Sequence, residues 1–249
     1  MTLGGSDAAT YPPLDVPKPV APGIWIVDSG PLKLMGVRLP VRMTVMQLRS
    51  GGLILHSPTR FDPALRQKLE QIGPIEHLVA PNSAHWTFMK DWQDRLPNVL
   101  AWAAPGLRER AQVRRSGLRL DHDLGPEPPQ VWSEEIEQVP VEGIGGFTEI
   151  AFFHKSSRTL VLTDLIENFE PGKLPLLAKP VARLLGIAAP AGRAPIYLRA
   201  VVRLKGRQPR EAAERLVAFR PDRVIFAHGS WFERDGTARL RNSLAWLLP

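Results

Sequence analysis

The chain has 249 residues, 44% of them hydrophobic and 23% charged, which is typical of a folded protein with a substantial core. It contains no cysteine, which excludes disulfides, thiolate metal sites and cysteine nucleophiles. The net charge of +7 does not indicate nucleic-acid binding, because aromatic residues are few and no basic-aromatic pattern recurs. No run of residues approaches the ~20 apolar positions of a membrane-spanning helix, so we expect a soluble protein.

Residues 1–22 are polar and proline-rich, and we interpret them as an extended arm. They lack the basic start and apolar run of a signal peptide, so we expect the protein to be cytoplasmic. No linker or charge block divides residues 23–249, which predicts a single domain there.

The first half predicts strands and then alternating helices and strands. GIWIVDSG, VRMTVMQL and GGLILHSP predict antiparallel strands, with Gly51 and Gly52 in a hairpin turn. In DPALRQKLEQIG, Asp62 can cap a helix that begins at Pro63 and ends near Gly73. HLVAP and NVLAWAAP predict strands, and WTFMKDWQDRL and GLRERAQ predict helices. This alternation implies parallel neighbouring strands.

The second half predicts strands joined by turns and then two helices around a last strand. IEQVPVEG, TEIAFFHK and RTLVLTDL are the strands, with a hairpin tip at Lys155, Ser156 and Ser157. REAAERLVAF and DGTARLRNSLAWLL predict helices on either side of the strand DRVIFAHG. We therefore expect two sheets packed face to face, with helices on the outside.

Polar side chains follow four of the predicted strands. His56 follows LIL, Asn82 and His85 follow LVA, Asp164 follows LVLT, and His228 follows VIFA. Ligand sites in α/β folds form at the carboxyl ends of strands, where loops converge. We predict that these five residues meet in one crevice.

The order of these motifs, from about Trp25 to the C-terminus, resembles the metallo-β-lactamase-like superfamily. That resemblance implies an α/β fold, the αββα sandwich, in a family of metal-dependent hydrolases and some oxidoreductases. Asp164 in LVLTDL and His228 in FAHG match the fourth and fifth family motifs. The sequence around LHSPT, LVAPN and AHG resembles a divergent and poorly characterised branch of that superfamily, a domain of unknown function.

Three other family motifs are degenerate here. His56 stands where the family has Asp, and Phe147 replaces the histidine of Gly-His-Thr. The family loop His-x-His-x-Asp-His corresponds to APNSAHWTF. With Asn82 on its first histidine, the other ligand positions hold Ala84, Trp86 and Thr87. With the register moved by one residue, His85 matches the second histidine and Ser83 the first. Either register predicts at most one metal ion.

The resemblance implies His85, Asp164 and His228 as the metal ligands, with zinc, iron or manganese as the ion. Asp164 would also hold a water molecule and act as its base. The alternative is that His85 packs against Trp86 while Asp164 and His228 keep only a hydrogen bond. We expect His56 to hydrogen-bond the Asn82 loop or Asp164, with direct ligation as its alternative. Asn82 is expected to hold the turn or cap the next helix, with metal binding as its alternative.

Residues 171–210 carry nine Lys or Arg and no Asp or Glu. We interpret them as a basic, proline-rich flap rather than a membrane contact, because the prolines prevent a long amphipathic helix. The flap is expected to bury five apolar side chains against the domain: Leu176, Leu177, Leu184, Leu185 and Ile187. Arg193, Arg199 and Arg203 would then face the entrance and favour an anionic small molecule.

Three functions remain open at this point. The first is a metal-dependent hydrolase with at most one ion, acting on an ester, thioester or amide-like bond. The second is a metal-free, non-catalytic descendant that binds a small anion or a protein partner. The third is an oxidoreductase with a single iron. The sequence does not predict the substrate or the oligomeric state.

Overall fold

Two β-sheets form the frame of the molecule. The computed structural model describes residues 10–34, 37–176, 178–190 and 192–248. Within these residues the larger sheet has seven strands, which lie side by side in chain order. They are β1 (Lys18–Ala21), β2 (Ile24–Leu34), β3 (Val37–Gln47), β4 (Leu53–His56), β5 (Ile75–Ala80), β6 (Leu100–Ala103) and β7 (His122–Asp123). Strands β1 to β4 pair antiparallel and β4 to β7 pair parallel, as predicted from the alternation of strands and helices.

The smaller sheet comes from the second half of the chain. Its strands are β8 (Ile136–Glu142), β9 (Thr148–His154), β10 (Thr159–Val161) and β12 (Arg223–Ile225), in the order β12-β10-β9-β8. The hairpin between β9 and β10 turns at residues 155–158, where the sequence predicts it. Two further strands, β11 (Glu167–Asn168) and β13 (His228–Gly229), pair parallel with each other. This short pair lies at the functional site.

The helices cover the outer faces of the sheets. They are α1 (Pro63–Glu70), α2 (Met89–Arg95), α3 (Ala111–Ser116), α4 (Ala178–Leu185), α5 (Ile196–Arg203), α6 (Arg207–Ala218) and α7 (Gly236–Ser243). Helix α1 begins as predicted, because Asp62 accepts a hydrogen bond from the Leu65 N–H at 2.8 Å and Pro63 takes the first helical position. The helix predicted at 106–112 is displaced to α3, because Gly106 adopts the left-handed conformation with φ +79°.

Side chains of successive residues show the layers of the fold. In β4, Ile54 packs between the two sheets together with Trp102, Phe152 and Ile225. Its neighbours Leu53 and Leu55 point the other way and pack with α1, α2 and α3. The smaller sheet packs against α5, α6 and α7 through a third cluster that includes Leu198, Ala212, Leu216 and Leu240. This arrangement is the predicted αββα sandwich.

The flap differs from its prediction. Helix α4 packs Ala182 against Phe169 and Ile187, with Leu185 half-buried beside them. Leu176 and Leu184 are 80% and 78% exposed, so the prediction that they are buried is wrong. The reason is that α4 contacts the domain through one face only, and Leu184 lies on the other. Leu177 lies outside the described residues.

The end of the predicted arm forms a strand. Residues 18–21 form the edge strand β1 of the larger sheet, paired antiparallel with β2. Residues 1–9 lie outside the described part of the chain. Among the helices that the structure describes, none is long and apolar enough to cross a membrane.

Candidate metal centre

Three side chains meet at one edge of the sandwich. His85, Asp164 and His228 each offer a donor atom, and these atoms lie within 4.8 Å of one another. Asp164 Oδ1 is 3.1 Å from His85 Nε2 and 3.5 Å from His228 Nε2. The three side chains are 10%, 18% and 11% exposed, so they line a crevice rather than the core.

Strand topology explains this convergence. His85 follows β5, Asp164 follows β10, and His228 follows β12 and begins β13. Because β10 and β12 are parallel neighbours, the residues that follow them emerge at the same sheet edge. Next to His228, Gly229 has φ +91° and allows β11 to approach closely, since an added Cβ would lie 2.2 Å from the Asn168 carbonyl oxygen.

The remaining nitrogen of each histidine has a hydrogen-bond partner. His228 Nδ1 lies 2.8 Å from the Pro40 carbonyl oxygen, so it carries the proton and donates. His85 Nδ1 lies 2.5 Å from Ser57 Oγ. Partners of this kind fix the orientation of metal-binding histidines and leave the other nitrogen free to coordinate. Both Nε2 atoms therefore face Asp164.

The three groups also shift each other's acidity. Burial alone would raise the pKa of Asp164, but the charges and hydrogen bonds of His85 and His228 hold it well below its usual range. Burial would lower the pKa of His228, but the hydrogen bond and charge of Asp164, with the charge of Glu167, raise it to about 9. Attraction between the Asp164 carboxylate and the His228 ring therefore stabilises the charged forms of both groups.

Ser57 is a site residue that sequence reasoning missed. It has φ +56°, a strained conformation for a residue other than glycine, directly after β4. Ser57, His85 and Asp164 form a hydrogen-bonded chain, as in serine hydrolases. In those enzymes Nε2 faces the serine and Nδ1 faces the aspartate, whereas here the two nitrogens are exchanged. Ser57 is also only 6% exposed, so we interpret it as a residue that orients His85.

Asn82 connects the loop of His85 to Asp164. Its Oδ1 accepts hydrogen bonds from the N–H groups of Ala84 at 2.8 Å and His85 at 3.1 Å, which holds the turn after β5. Its Nδ2 donates to Asp164 Oδ2 at 2.8 Å and to Thr163 Oγ1 at 3.0 Å. The amide therefore acts in the turn, as expected from the sequence, and is not one of the three donors.

Glu149 is a second residue that the sequence did not reveal. Its buried carboxyl group accepts hydrogen bonds from the backbone N–H groups of Thr163, Asp164 and Leu165 at 2.7–3.2 Å. Burial, and then the charge of Asp164, raises its pKa. In the sequence, Glu149 is an acidic residue at the start of the apolar strand TEIAFF. An acidic residue in that position is equally typical of a solvent-exposed strand end, so its buried role could not be predicted.

His56 does not take the role expected from the sequence. Its ring is 1% exposed and packs edge-on against Phe152, with ring centroids 5.1 Å apart. Its Nε2 has no hydrogen-bond partner among the described residues, so the expected bond to the Asn82 loop or Asp164 is absent there. It also lies outside the group of three donors. Burial lowers its pKa to about 3, so it is a neutral core residue.

Two residues beside the centre come from the flap and from β11. Glu167 pairs in register with His228, and burial raises its pKa to about 7, a value that suits proton transfer at neutral pH. Tyr197, at the start of α5, has its pKa raised by burial and then by the charges of Glu167 and Asp164. The Tyr197 side chain is 63% exposed.

The three flap arginines occupy different positions. Arg193 is exposed, and its backbone pairs with that of Glu167 through two hydrogen bonds of 3.1 Å. Arg199 is half-buried against the carbonyl oxygen of Leu185, at 3.5 Å. Arg203 is exposed at the far end of α5, about 9 Å along the helix axis from Tyr197. Arg193 is thus the arginine that the structure connects directly to the site.

Comparisons with known proteins identify the family. A family model described as "Domain of unknown function (DUF4336)" matches residues 22–224. The chain belongs to this family. No curated protein is significantly similar to this DUF4336 sequence.

Solved metallo-β-lactamases share the fold of this DUF4336 domain. The enzyme from Pontibacter korlensis is 15% identical over 93% of this chain and 97% of its own, with a TM-score of 0.61. The enzyme from Hirschia baltica is 16% identical over 94% of this chain and 97% of its own, with a TM-score of 0.60. FIM-1 from Pseudomonas aeruginosa was solved in a mono-zinc form. It is 15% identical over 98% of this chain and 96% of its own, with a TM-score of 0.59. Identities this low show the fold alone.

The donor set of the DUF4336 domain fits one divalent ion. Two imidazole nitrogens and a carboxylate oxygen are suitable ligands for zinc, iron or manganese, and an ion would displace the proton that the raised pKa of His228 keeps on its ring. Within the part of the chain that the structure describes, no other group of three or more His, Asp or Glu donors is close enough to hold an ion. The centre therefore suits a single ion.

Proposed function

We propose that this protein is a metal-dependent hydrolase with a single divalent ion on His85, Asp164 and His228. One observation carries the proposal: three donors lie within 4.8 Å while the outer nitrogens of both histidines are occupied by Pro40 and Ser57. Three protein ligands leave coordination positions open, which is the arrangement of catalytic rather than structural sites. An ion held there would polarise a substrate oxygen and lower the pKa of water.

The protein's own residues would hold and orient the reacting groups. The low pKa of Asp164 keeps its carboxylate ionised and able to coordinate an ion, and Asp164 would also hold a water molecule and act as its base. Asn82 holds Asp164 through its side chain, and Glu149 holds it through its backbone N–H. Ser57 and Pro40 keep the two rings in place. The expected reaction is hydrolysis of an ester, thioester or amide-like bond.

Charge near the crevice supports a small anionic substrate. The backbone of Arg193 pairs with that of Glu167, and the exposed Tyr197 of the same flap has a hydroxyl group that would donate a hydrogen bond to such a substrate. Positive charge at an entrance raises the local concentration of anions. We propose Arg193 as the main contributor, with Arg199 and Arg203 further along the flap.

Metal analysis of the untagged protein tests the proposal. Elemental analysis after reconstitution with zinc, iron or manganese should give close to one ion per chain. His228→Ala and Asp164→Asn should lose most of the bound metal, and His122→Ala, which alters an exposed histidine, should retain it. Close to two ions per chain would contradict the single-ion site.

Absence of metal under all three conditions would favour the metal-free descendant, which binds a ligand without catalysis. If iron alone is retained, redox activity should be measured before hydrolysis, because the same three ligands suit a mononuclear iron oxidoreductase.

A further inference from the structure

We propose that the outer faces of α4 and α5 dock on an anionic phospholipid surface. The two helices and the turn before α4 form the "flap face", defined by Leu176, Val181, Leu184, Tyr197 and Leu204. These side chains are 53–80% exposed. This proposal stands on surface exposure and charge, and it does not depend on the metal or on hydrolysis.

Helical spacing places the exposed residues on the outer face of each helix. In α4, Val181 and Leu184 are three residues apart and point away from Ala182, which is buried. In α5, Tyr197 and Leu204 are seven residues apart and lie opposite Leu198 and Val202, which are packed in the core. Each helix is therefore apolar on both faces, and only one of its faces has a partner within the described chain.

The two helices are held next to each other. The Arg199 guanidinium group on α5 reaches the carbonyl oxygen of Leu185, the last residue of α4. It also fills the space beside Gly186, where an added Cβ would lie 2.9 Å from Arg199 Nη2. Two short helices can thus supply together the apolar surface that prolines prevent one long helix from forming.

Positive charge surrounds the exposed apolar side chains. Lys179, Arg183, Arg193 and Arg203 lie on or between the two helices, and no ion pair involves them within the described residues. Lys205 is excluded from this set, because it pairs with Glu142 at 2.9 Å. Basic residues beside exposed leucines are characteristic of helices that lie in the interface of anionic membranes.

The exposure values favour a lipid surface over a peptide partner. A groove that binds a peptide is concave, so its apolar residues partly cover one another. Leu176 and Leu184 retain 80% and 78% of their accessible surface, which means that they protrude. Protruding leucines flanked by cations can enter the boundary between headgroups and acyl chains while the cations contact phosphate.

The flap face is connected to the crevice through one layer of side chains. Below α4, Ala182 and Ile187 pack on Phe169. The Phe169 ring in turn stacks on His228, with centroids 6.5 Å apart. Docking through this face would therefore bring the mouth of the crevice near the lipid surface.

Co-sedimentation of the full chain with lipid vesicles tests the proposal. At physiological salt the protein should pellet with vesicles of equal parts phosphatidylglycerol and phosphatidylcholine, and much less with phosphatidylcholine alone. The double variant Lys179→Glu/Arg183→Glu should weaken partitioning by about tenfold or more. The double variant Leu176→Ser/Leu184→Ser should weaken it by roughly tenfold through lost insertion.

Two matched control variants change charge or exposed apolar surface outside the flap face. Arg114→Glu/Arg115→Glu on α3 gives the same change in net charge, and Leu100→Ser/Val131→Ser removes exposed apolar side chains away from the flap. Both control proteins should bind like the wild type. Circular dichroism should show that all four variants are folded, since each substitution is at an exposed position or, at Lys179, a partly exposed one.

Three results would overturn the proposal. The first is no pelleting with anionic vesicles at physiological salt. The second is equal loss of binding in the flap variants and the controls. The third is concentration-dependent self-association that Leu176→Ser/Leu184→Ser abolishes while vesicles do not bind, which would make the flap face a contact between two copies of the chain.

Discussion

Asn82 Nδ2 donates a hydrogen bond of 2.8 Å to Asp164 Oδ2, and this bond joins the two halves of the sandwich at the candidate centre. Asn82 follows β5 of the larger sheet, and Asp164 follows β10 of the smaller one. The same amide accepts a hydrogen bond from the backbone N–H of His85. One side chain therefore fixes the relative position of two of the three donors.

Asn82→Ala should lower metal affinity by about 10–100-fold, the usual effect of removing a residue that orients a ligand. Competition with a chromogenic chelator measures this change. Thr87→Ala is a suitable control, because Thr87 is an exposed residue of the same loop whose hydroxyl donates to the Ala84 carbonyl oxygen. Equal affinities in Asn82→Ala and the wild type would show that the loop holds His85 without this amide.

Much of the fold could be predicted because local patterns determine it. The glycine pair Gly51-Gly52 indicates the hairpin, and the alternation of strands and helices indicates the parallel part of the larger sheet. His85, Asp164 and His228 could be proposed because each follows an apolar strand. In a sheet with parallel strands, such positions converge.

The other site residues could not be predicted because their roles depend on contacts distant in sequence. Glu149 acts on backbone groups 14–16 residues away, and Ser57 acts on a ring 28 residues away. The expectation that Leu184 is buried follows from a flap packed onto the domain, but α4 is apolar on two faces and packs through only one of them. Its sequence does not distinguish the face that packs on Phe169 from the face that remains exposed.

Ser57→Ala and Ser57→Gly should both lower metal affinity by about tenfold, because each leaves His85 Nδ1 without its partner. The two variants should differ in stability. Glycine adopts φ +56° at little cost, so Ser57→Gly should be more stable than Ser57→Ala by about 0.5–1 kcal/mol in urea denaturation. A serine nucleophile would give another result, in which metal affinity is unchanged and all hydrolysis is lost.

Asp28→Asn should destabilise the fold by about 3–5 kcal/mol, because it leaves the buried Arg42 guanidinium without a counter-charge. The two groups lie 2.6 Å apart, and both side chains are 2–3% exposed. Arg42 also donates hydrogen bonds to the carbonyl oxygens of Phe226 and Gly229, on either side of the segment with His228. Urea denaturation measures the loss.

Asp123→Asn is the control for Asp28→Asn. Its partner Arg108 lies at 3.0 Å, but this pair is about half exposed, so its loss should cost less than about 1 kcal/mol. Similar small losses in the two variants would show that Arg42 is held by its carbonyl partners alone.

His56 should make the protein sensitive to acid. Its pKa is lowered from 6.5 to about 3 by burial, and then by the charge of His85. Between these values the unfolded chain binds a proton that the folded chain does not. The free energy of unfolding therefore falls as the pH decreases below about 6.5, and His56 has no such effect above that pH. At pH 4 the loss amounts to about 3 kcal/mol.

His56→Leu should remove this acid sensitivity, so that the drop in unfolding free energy from pH 7 to pH 4 is smaller than in the wild type by about 3 kcal/mol. Chemical denaturation at the two pH values gives the comparison. Phe152→Leu is the matched control, because it removes the ring that packs against His56 and keeps the imidazole. That variant should lose stability by a similar amount at both pH values, through the cavity alone. If His56→Leu keeps the wild-type drop, other groups cause the acid sensitivity, and the burial of a neutral imidazole contributes nothing to it.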